Sequence, residues 1–346
     1  MSTNDVVCAS QAQMEMYNSH IYTSALFFNL IIAFTSMTLI VLAIRKLCMK
    51  SIINVSTRMF LVVGLLCCAL HQIAYIILRV SSVFSINSMK HVQVIYQIMF
   101  RLDHPCDLYY RAYDCKYVTW SLVAGNTGMI FIQSAMTIDR IMATMFSKAW
   151  PKLKYWPGVI LSAFMIGCNY TNVQLIFWND PLTDFVPTCG QFPPKSVGRF
   201  QAFLEVALYM SIGHMVINTV ILYINHVQER RQSQTFKLAQ RYQSRETLKS
   251  TQAIFFLSMS QFLACFLYTI FTKLYLQFQH DLTPLQGGLA LALTYTTPYT
   301  CCAIPALILI TLSFIKNQRL RNINEMRTQT ETGDEYMKKI QKIWEK

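Results

Sequence analysis

The sequence predicts an all-α membrane protein built as a bundle of seven spanning helices, and three observations predict it. Seven stretches are long and apolar, at residues 21–44, 59–78, 117–146, 155–178, 200–225, 251–276 and 287–315. Hydrophobic residues make up 53% of the 346 and charged residues only 14%, against roughly a quarter charged in soluble domains. Basic residues collect in alternate loops. A lipid-spanning helix needs about 20 mainly apolar residues, and each stretch meets that length. What remains is a polar segment at residues 1–20 and a basic tail at 316–346.

Taken in order, the first span runs from Ile21 to Ile44 with no Asp, Glu, Lys, Arg or His, so it has no charged face for water and must lie in lipid. The loop after it carries Arg45, Lys46, Lys50 and Arg58 without an acid. The loop after the third span has Lys148, Lys152 and Lys154, and that after the fifth has Arg230, Arg231, Lys237, Arg241, Arg245 and Lys249 against Glu229 and Glu246. Positive loops stay on the cytoplasmic side. The N-terminal segment, with Asp5 and Glu15 but no Lys or Arg, is therefore expected outside and the tail inside. The loop from Ser81 to Lys116 is mixed, with Lys90, Arg101, Arg111 and Lys116 against Asp103, Asp107 and Asp114, and weakens the bias without reversing it. The first 20 residues are polar and lack a basic n-region, so the first span is expected to direct insertion itself. The net charge of +13 belongs to these loops and to lipid headgroups, and nucleic acid is not expected as a partner.

Polar motifs sort by side. The tripeptides Asn54-Val55-Ser56 and Asn169-Tyr170-Thr171 fall in a cytoplasmic loop and inside a span, where neither is glycosylated. Of the 11 cysteines, Cys8, Cys106, Cys115 and Cys189 fall on the oxidising side, and four cysteines leave three pairings open. Placement favours Cys115 with Cys189, a bridge that would pin the fourth–fifth loop across the bundle mouth, and Cys8 with Cys106. His71, Gln72 and His214 sit mid-span and are expected to hydrogen-bond between helices. No third ligand accompanies the histidines, so no metal or other cofactor is expected. No Ser-His-acid cluster, His-Glu-x-x-His or phosphate-binding glycine loop appears, and the chain does not read as an enzyme. Nor do its two halves carry matched broken helices of the transporter kind.

The third span ends Thr137-Ile138-Asp139-Arg140-Ile141-Met142-Ala143-Thr144, with Arg140 25 residues after Cys115. At 1.5 Å per residue that is about 37 Å, so one helix joins the cysteine anchor to an acid-base pair at the far end. The bland reading of this pair is an interfacial marker whose arginine reaches headgroups. The spacing resembles the rhodopsin-like G-protein-coupled receptors, although Ile141 stands where an aromatic residue is usual. The second span, Leu66-Cys67-Cys68-Ala69-Leu70-His71-Gln72, lacks the aspartate of a sodium site, and the seventh reads Thr297-Pro298-Tyr299 and Ile304-Pro305-Ala306 without Asn-Pro-x-x-Tyr. Pro298 and Pro305 are expected to kink it.

A narrower resemblance covers most of the chain. Arg241-Tyr242-Gln243-Ser244-Arg245-Glu246-Thr247-Leu248-Lys249-Ser250-Thr251 looks like a signature of the nematode serpentine receptor class alpha (Sra) chemoreceptors. So do Cys8-Ala9-Ser10, Leu70-His71-Gln72, Pro105-Cys106-Asp107, Ile138-Asp139-Arg140 with Ala143-Thr144, and Trp178-Asn179-Asp180-Pro181-Leu182. The resemblance implies a plasma-membrane receptor of sensory neurons or their cilia, with a small-molecule ligand outside and a heterotrimeric G protein inside. It implies a switch at Asp139 and Arg140, with Arg241, Arg245, Glu246 and Lys249 nearby. If the sixth helix extends inward through Arg245, Glu246 reaches the layer of Arg140, and an inactive-state restraint between them is expected; the alternative is that Glu246 only offsets Arg245 and Lys249 on an exposed turn. Candidate ligand contacts are Trp120 and Asn126 on the third helix, Gln174 and Trp178 on the fourth, Glu205 and Tyr209 on the fifth, Tyr268 and Thr272 on the sixth, and Tyr295 on the seventh. Such aromatics more often pack helices than touch ligand. Leu122 occupies the region where amine receptors place a carboxylate, so a neutral or weakly polar ligand is expected. In the tail, Asn317 to Met326 is expected as a short amphipathic helix on the inner leaflet, with Thr328, Thr330 and Thr332 beyond it as kinase and arrestin sites. The alternatives are a ligand-gated channel or transporter, and an adaptor that binds partners only; the insect olfactory channels place their N-terminus on the opposite side.

Overall fold

The computed structural model describes residues 10–49, 54–83, 110–146, 149–153, 155–180, 182, 185–186, 192–233, 238–278 and 281–344. The helices are α1 (Gln11–Asn18), α2 (His20–Cys48), α3 (Val55–Val83), α4 (Ala112–Met145), α5 (Trp156–Ile176), α6 (Pro194–Ser233), α7 (Leu238–Phe278), α8 (Pro284–Thr294) and α9 (Thr297–Trp344), with a 3-10 turn at Trp150–Leu153. Two short strands, β1 (Tyr110–Arg111) and β2 (Phe185–Val186), pair antiparallel, Tyr110 opposite Val186 and Arg111 opposite Phe185.

Among the described residues, six stretches are long and apolar enough to cross a membrane: His20–Cys48, Val55–Arg79, Trp156–Ile176, Lys195–Arg231, Thr247–Tyr275 and Pro284–Asn317. The third predicted span is α4, 34 residues long but richer in polar groups. The reason is its place. α4 packs against α3, α5, α6 and α7, and Thr127, Gln133, Thr137, Asp139 and Arg140 are buried on it. A helix enclosed by its neighbours tolerates polar residues that a lipid-facing helix cannot. Gly125 and Gly128 permit the closest approach: a Cβ at Gly125 would lie 2.6 Å from His71 Cβ and 2.8 Å from the Cys67 carbonyl oxygen of α3.

Local chemistry explains the helix starts. Ser10 and Gln13 form a reciprocal capping box that opens α1, and Thr283 with Gln286 forms a second that opens α8, with Pro284 in its first turn. α1 lies within the expected N-terminal tail and packs on α8 through Met16, which sits over Gly288.

The seventh span departs from the expectation of a kinked rod. It is interrupted at Tyr295–Thr296, and Pro298 stands in the first turn of α9 rather than inside a helix. Pro cannot supply the amide that would carry the ladder across this point. The freed and flanking carbonyls are taken by side chains of α2 and α3. Asn29 Nδ2 donates to the Ala292 carbonyl at 2.9 Å, and Tyr299 Oη donates to Asn29 Oδ1 at 2.8 Å, so one buried asparagine holds both halves. Gln72 donates to the Pro298 carbonyl at 3.1 Å. Pro305 lies within α9, and the Cys301 carbonyl it leaves without an amide partner accepts from Ser36 Oγ at 2.7 Å. The tail expectation is also corrected: α9 continues unbroken to Trp344, so Asn317 to Met326 is not a separate helix.

Candidate functional site

Two groups of side chains occupy opposite ends of α4. At the Arg140 end, Asp139 and Arg140 are almost wholly enclosed and form an ion pair. Asp139 accepts from Ser56 Oγ at 3.0 Å and from Trp150 Nε1 at 3.1 Å, while Arg140 donates to Thr57 Oγ1 at 2.9 Å. The start of α3, the end of α4 and the 3-10 turn thus close on one acid-base pair. A bare pair would cost several kcal/mol to desolvate; the surrounding hydroxyls and indole offset that cost. Gly158 brings the start of α5 against the same place, where a Cβ would lie 3.1 Å from Ser56 Cα. Ser56, Thr57 and Trp150 were not anticipated from the sequence. Of the other switch residues, Arg245 pairs with Glu229 at 3.1 Å on the surface, Lys249 is half-buried, and the side chains of Arg241 and Glu246 lie outside the described residues.

Between the two ends runs a polar ladder joining α4, α6 and α7. Asn218 donates to Thr137 Oγ1 at 3.2 Å and Ser258 Oγ at 2.8 Å, and Gln133 also bonds Ser258. One step nearer the Arg140 end, Asn225 donates to Thr251 Oγ1 at 2.9 Å and accepts from Thr144 Oγ1 at 3.3 Å. The second rung repeats the first at a displacement of seven residues on each helix, forward on α4 and α6 and backward on α7. Two helical turns bring a residue back to nearly the same face, so the repeat follows from one set of contacting faces. His214 bonds Ser134 at 2.9 Å, and His71 bonds Tyr295 Oη at 2.7 Å. The mid-span His71, Gln72 and His214 therefore join helices as expected. Among the described residues no group of three His, Cys, Asp or Glu could hold a metal.

At the Cys115 end, the structure gathers part of the candidate ligand set. Tyr268 and Tyr295 meet edge to face, and Tyr75 and His71 stack beside Tyr295. Trp120 packs on Phe177 and lies near Tyr268, with its indole nitrogen buried and without a hydrogen-bond partner. Asn126, Gln174 and Thr272 are half-buried. Trp178, Glu205 and Tyr209 do not join them. They are exposed on the outside of the bundle, and Glu205 pairs with Lys273 at 2.9 Å between α6 and α7. Tyr75 and Arg79, whose guanidinium lies 4.9 Å from the Tyr75 ring centre, were missed. Their one signal was spacing, four residues apart on the face that carries His71.

Cys115 is buried with Ala112, Leu182 and Val186 where β1 meets β2, and it is not among the free thiols of the described residues. Cys8, Cys106 and Cys189 lie outside those residues.

The sequence is similar to known proteins along its whole length. The model of the family described as serpentine type 7TM GPCR chemoreceptor Sra matches residues 3–344. The chain is 74% identical over its whole length to serpentine receptor class alpha-11 of Caenorhabditis briggsae and 70% identical to that of Caenorhabditis elegans, covering 100% of each. It is 34% identical to serpentine receptor class alpha-13 of Caenorhabditis elegans, with 99% of each chain covered. A multi-pass membrane chain with these relatives belongs to the Sra family of serpentine seven-helix chemoreceptors.

Proposed function

We propose that the protein is a chemosensory receptor that takes a small molecule at the Cys115 end, facing outside, and activates a heterotrimeric G protein at the Arg140 end, facing the cytoplasm. The observation that carries this reading is α4 itself, the most enclosed helix. It joins an aromatic-lined end to a buried acid-base pair through the two-rung ladder that holds α7. Ligand that shifts α4 or the interrupted seventh span loosens the lower rung, and α7 moves away to admit the G protein. The basic loops support the orientation, with Arg241, Arg245 and Lys249 facing acidic partner surfaces or lipid headgroups. Sensory-neuron plasma membrane is the matching location, and Thr328, Thr330 and Thr332 remain the proposed kinase and arrestin sites of the tail.

Asp139→Asn removes the charge that holds Arg140 while keeping an acceptor for Ser56 and Trp150. In nanodiscs it should raise basal nucleotide exchange on a responsive Gα several-fold. Glu246→Gln should raise it less, since Asp139 already restrains the arginine. Absence of exchange by both proteins across a Gα panel, with ligand-evoked current in liposomes instead, would favour the channel.

A further inference from the structure

The last turns of α9 carry a pattern that the receptor reading does not use. At about 100° per residue, the positions of Tyr336, Met337, Ile340, Ile343 and Trp344 fall within one arc of about 120°. Lys338, Lys339 and Lys342 fall on the opposite side of the helix, together with Glu335. The apolar arc does not continue upstream, where Asn322, Glu325 and Gln329 take the corresponding positions. It is confined to about two and a half turns, and Met337, on its edge, is exposed.

Helix geometry sets this segment clear of the bundle. The seventh span ends at Asn317 and α9 runs unbroken to Trp344, so the arc begins about 28 Å beyond the span and ends about 40 Å beyond it. The neighbouring helices stop sooner: α6 ends at Ser233, two residues past its span, and α7 begins at Leu238, nine residues before its own. The inner loops are basic and repel the lysine side rather than recruit it. Gly333, just before the segment, costs a helix about 1 kcal/mol. Beyond it stand 11 residues of α9, a length at which a helix alone in water is marginal.

Three occupants compete for such a face. The inner leaflet is out of reach: even with a hinge at Gly333, about 24 Å beyond the span, the residues that follow extend back only about 16 Å. A second copy fits poorly, because a coiled coil needs apolar heptads sustained over about three or four repeats, and one heptad upstream Thr330 and Gly333 replace Met337 and Ile340. A groove that is apolar within and acidic at its rim matches both sides of the helix. EF-hand calcium sensors open a Met-rich groove of this kind when calcium binds, and helices dock in grooves through anchors at i, i+3 and i+7. Met337, Ile340 and Trp344 have that spacing. We infer that the 336–344 segment is a docking helix for an acidic calcium-sensing protein of the EF-hand type, with these three residues as anchors and Lys338, Lys339 and Lys342 toward the acidic rim. The inference goes beyond the receptor reading and rests on it only for placing the tail in the cytoplasm.

The test uses the full chain in phosphatidylcholine nanodiscs, which leave both faces accessible, with calmodulin as probe and binding read by interferometry. No G protein is present, so a failure of coupling leaves this test intact. Calmodulin should bind at least about tenfold more tightly in calcium than in chelator. Ile340→Asp, which sets a charge among the anchors, should weaken binding at least about tenfold. Exchange of Lys338, Lys339 and Lys342 for Gln should weaken it several-fold and flatten its salt dependence. Leu320→Asp, outside the segment, should leave it as it was, and a chain ended after Gly333 should not bind; all variants are first matched by melting temperature. No binding by the full chain, equal binding in chelator, or binding unchanged in Ile340→Asp or in the shortened chain would overturn the inference. Loss of binding on adding phosphatidylserine would assign the face to the leaflet, and a dimer in detergent that Ile340→Asp dissociates would assign it to a second copy; either overturns it as well.

Discussion

Asn29 is the sharpest place to test how the seventh span is held. Its side chain is 1% exposed, and it donates to the last turn of α8 while accepting from the first turn of α9. Asn29→Leu keeps the volume but removes both bonds, leaving the Ala292 carbonyl and the Tyr299 hydroxyl without their partner in an apolar setting. Interhelical hydrogen bonds in membranes average about 0.6 kcal/mol and reach about 1.7, so two bonds contribute about 1–3 kcal/mol. At about 2–4 °C per kcal/mol for chains of moderate length, the variant should melt several degrees below the parent in the same nanodiscs. Tyr299→Phe, which loses one bond, should show about half that fall. The double variant should melt no lower than Asn29→Leu alone by more than a small margin, because both changes break the same link. Additive losses, or an Asn29→Leu melt within about a degree of the parent, would refute the claim that this residue spans the interruption.

Three further outcomes follow from the packing. Gly125→Ala forces α3 and α4 apart, because backbone atoms at Cys67 and His71 stand 2.8 Å from the new Cβ; overpacking costs about 1–3 kcal/mol, read as a lower melting temperature, and an unchanged one would count against the close approach. Asn225→Leu removes the lower rung of the ladder and should raise basal exchange more than Asn218→Leu, which removes the upper; equal effects would sink the assignment of the lower rung to activation. Cys115→Ala and Cys189→Ala should each cost about 2–5 kcal/mol, the range for loss of a native disulfide, and should not add; non-reducing peptide maps that recover both thiols alkylated would end the pairing.

The spans were legible because the lipid requirement is written residue by residue. Ile21 to Ile44 has no Asp, Glu, Lys, Arg or His, and a helix satisfies all of its backbone groups within the segment in hydrocarbon. The interruption of the seventh span was less legible. Pro298 was visible, but whether a proline kinks a helix or begins one depends on whether neighbours can satisfy the freed carbonyls, and those neighbours, Asn29 and Gln72, sit on other helices. The local signals were present all the same. Thr283-Pro284-Leu285-Gln286 is a helix-start pattern, and it marks α8 as a short separate helix.

The site divides along the same line. Asp139 and Arg140 are adjacent in the chain, so their pairing could be read directly, whereas Ser56, Thr57 and Trp150 reach them only through the packing of α3 and the turn after α4. Glu205 was misplaced for a related reason. Hydropathy gives depth along a span but not the direction in which a residue faces, and Glu205 faces outward to Lys273, a cation within the sixth span that makes the outward position tolerable. Lys116 shows the converse. It was counted as one charge in a mixed loop, yet the packing sets its ammonium 4.5 Å from the Trp120 ring centre. Charge counts treat residues as interchangeable within a loop. Which neighbour each of them meets is decided by the packing.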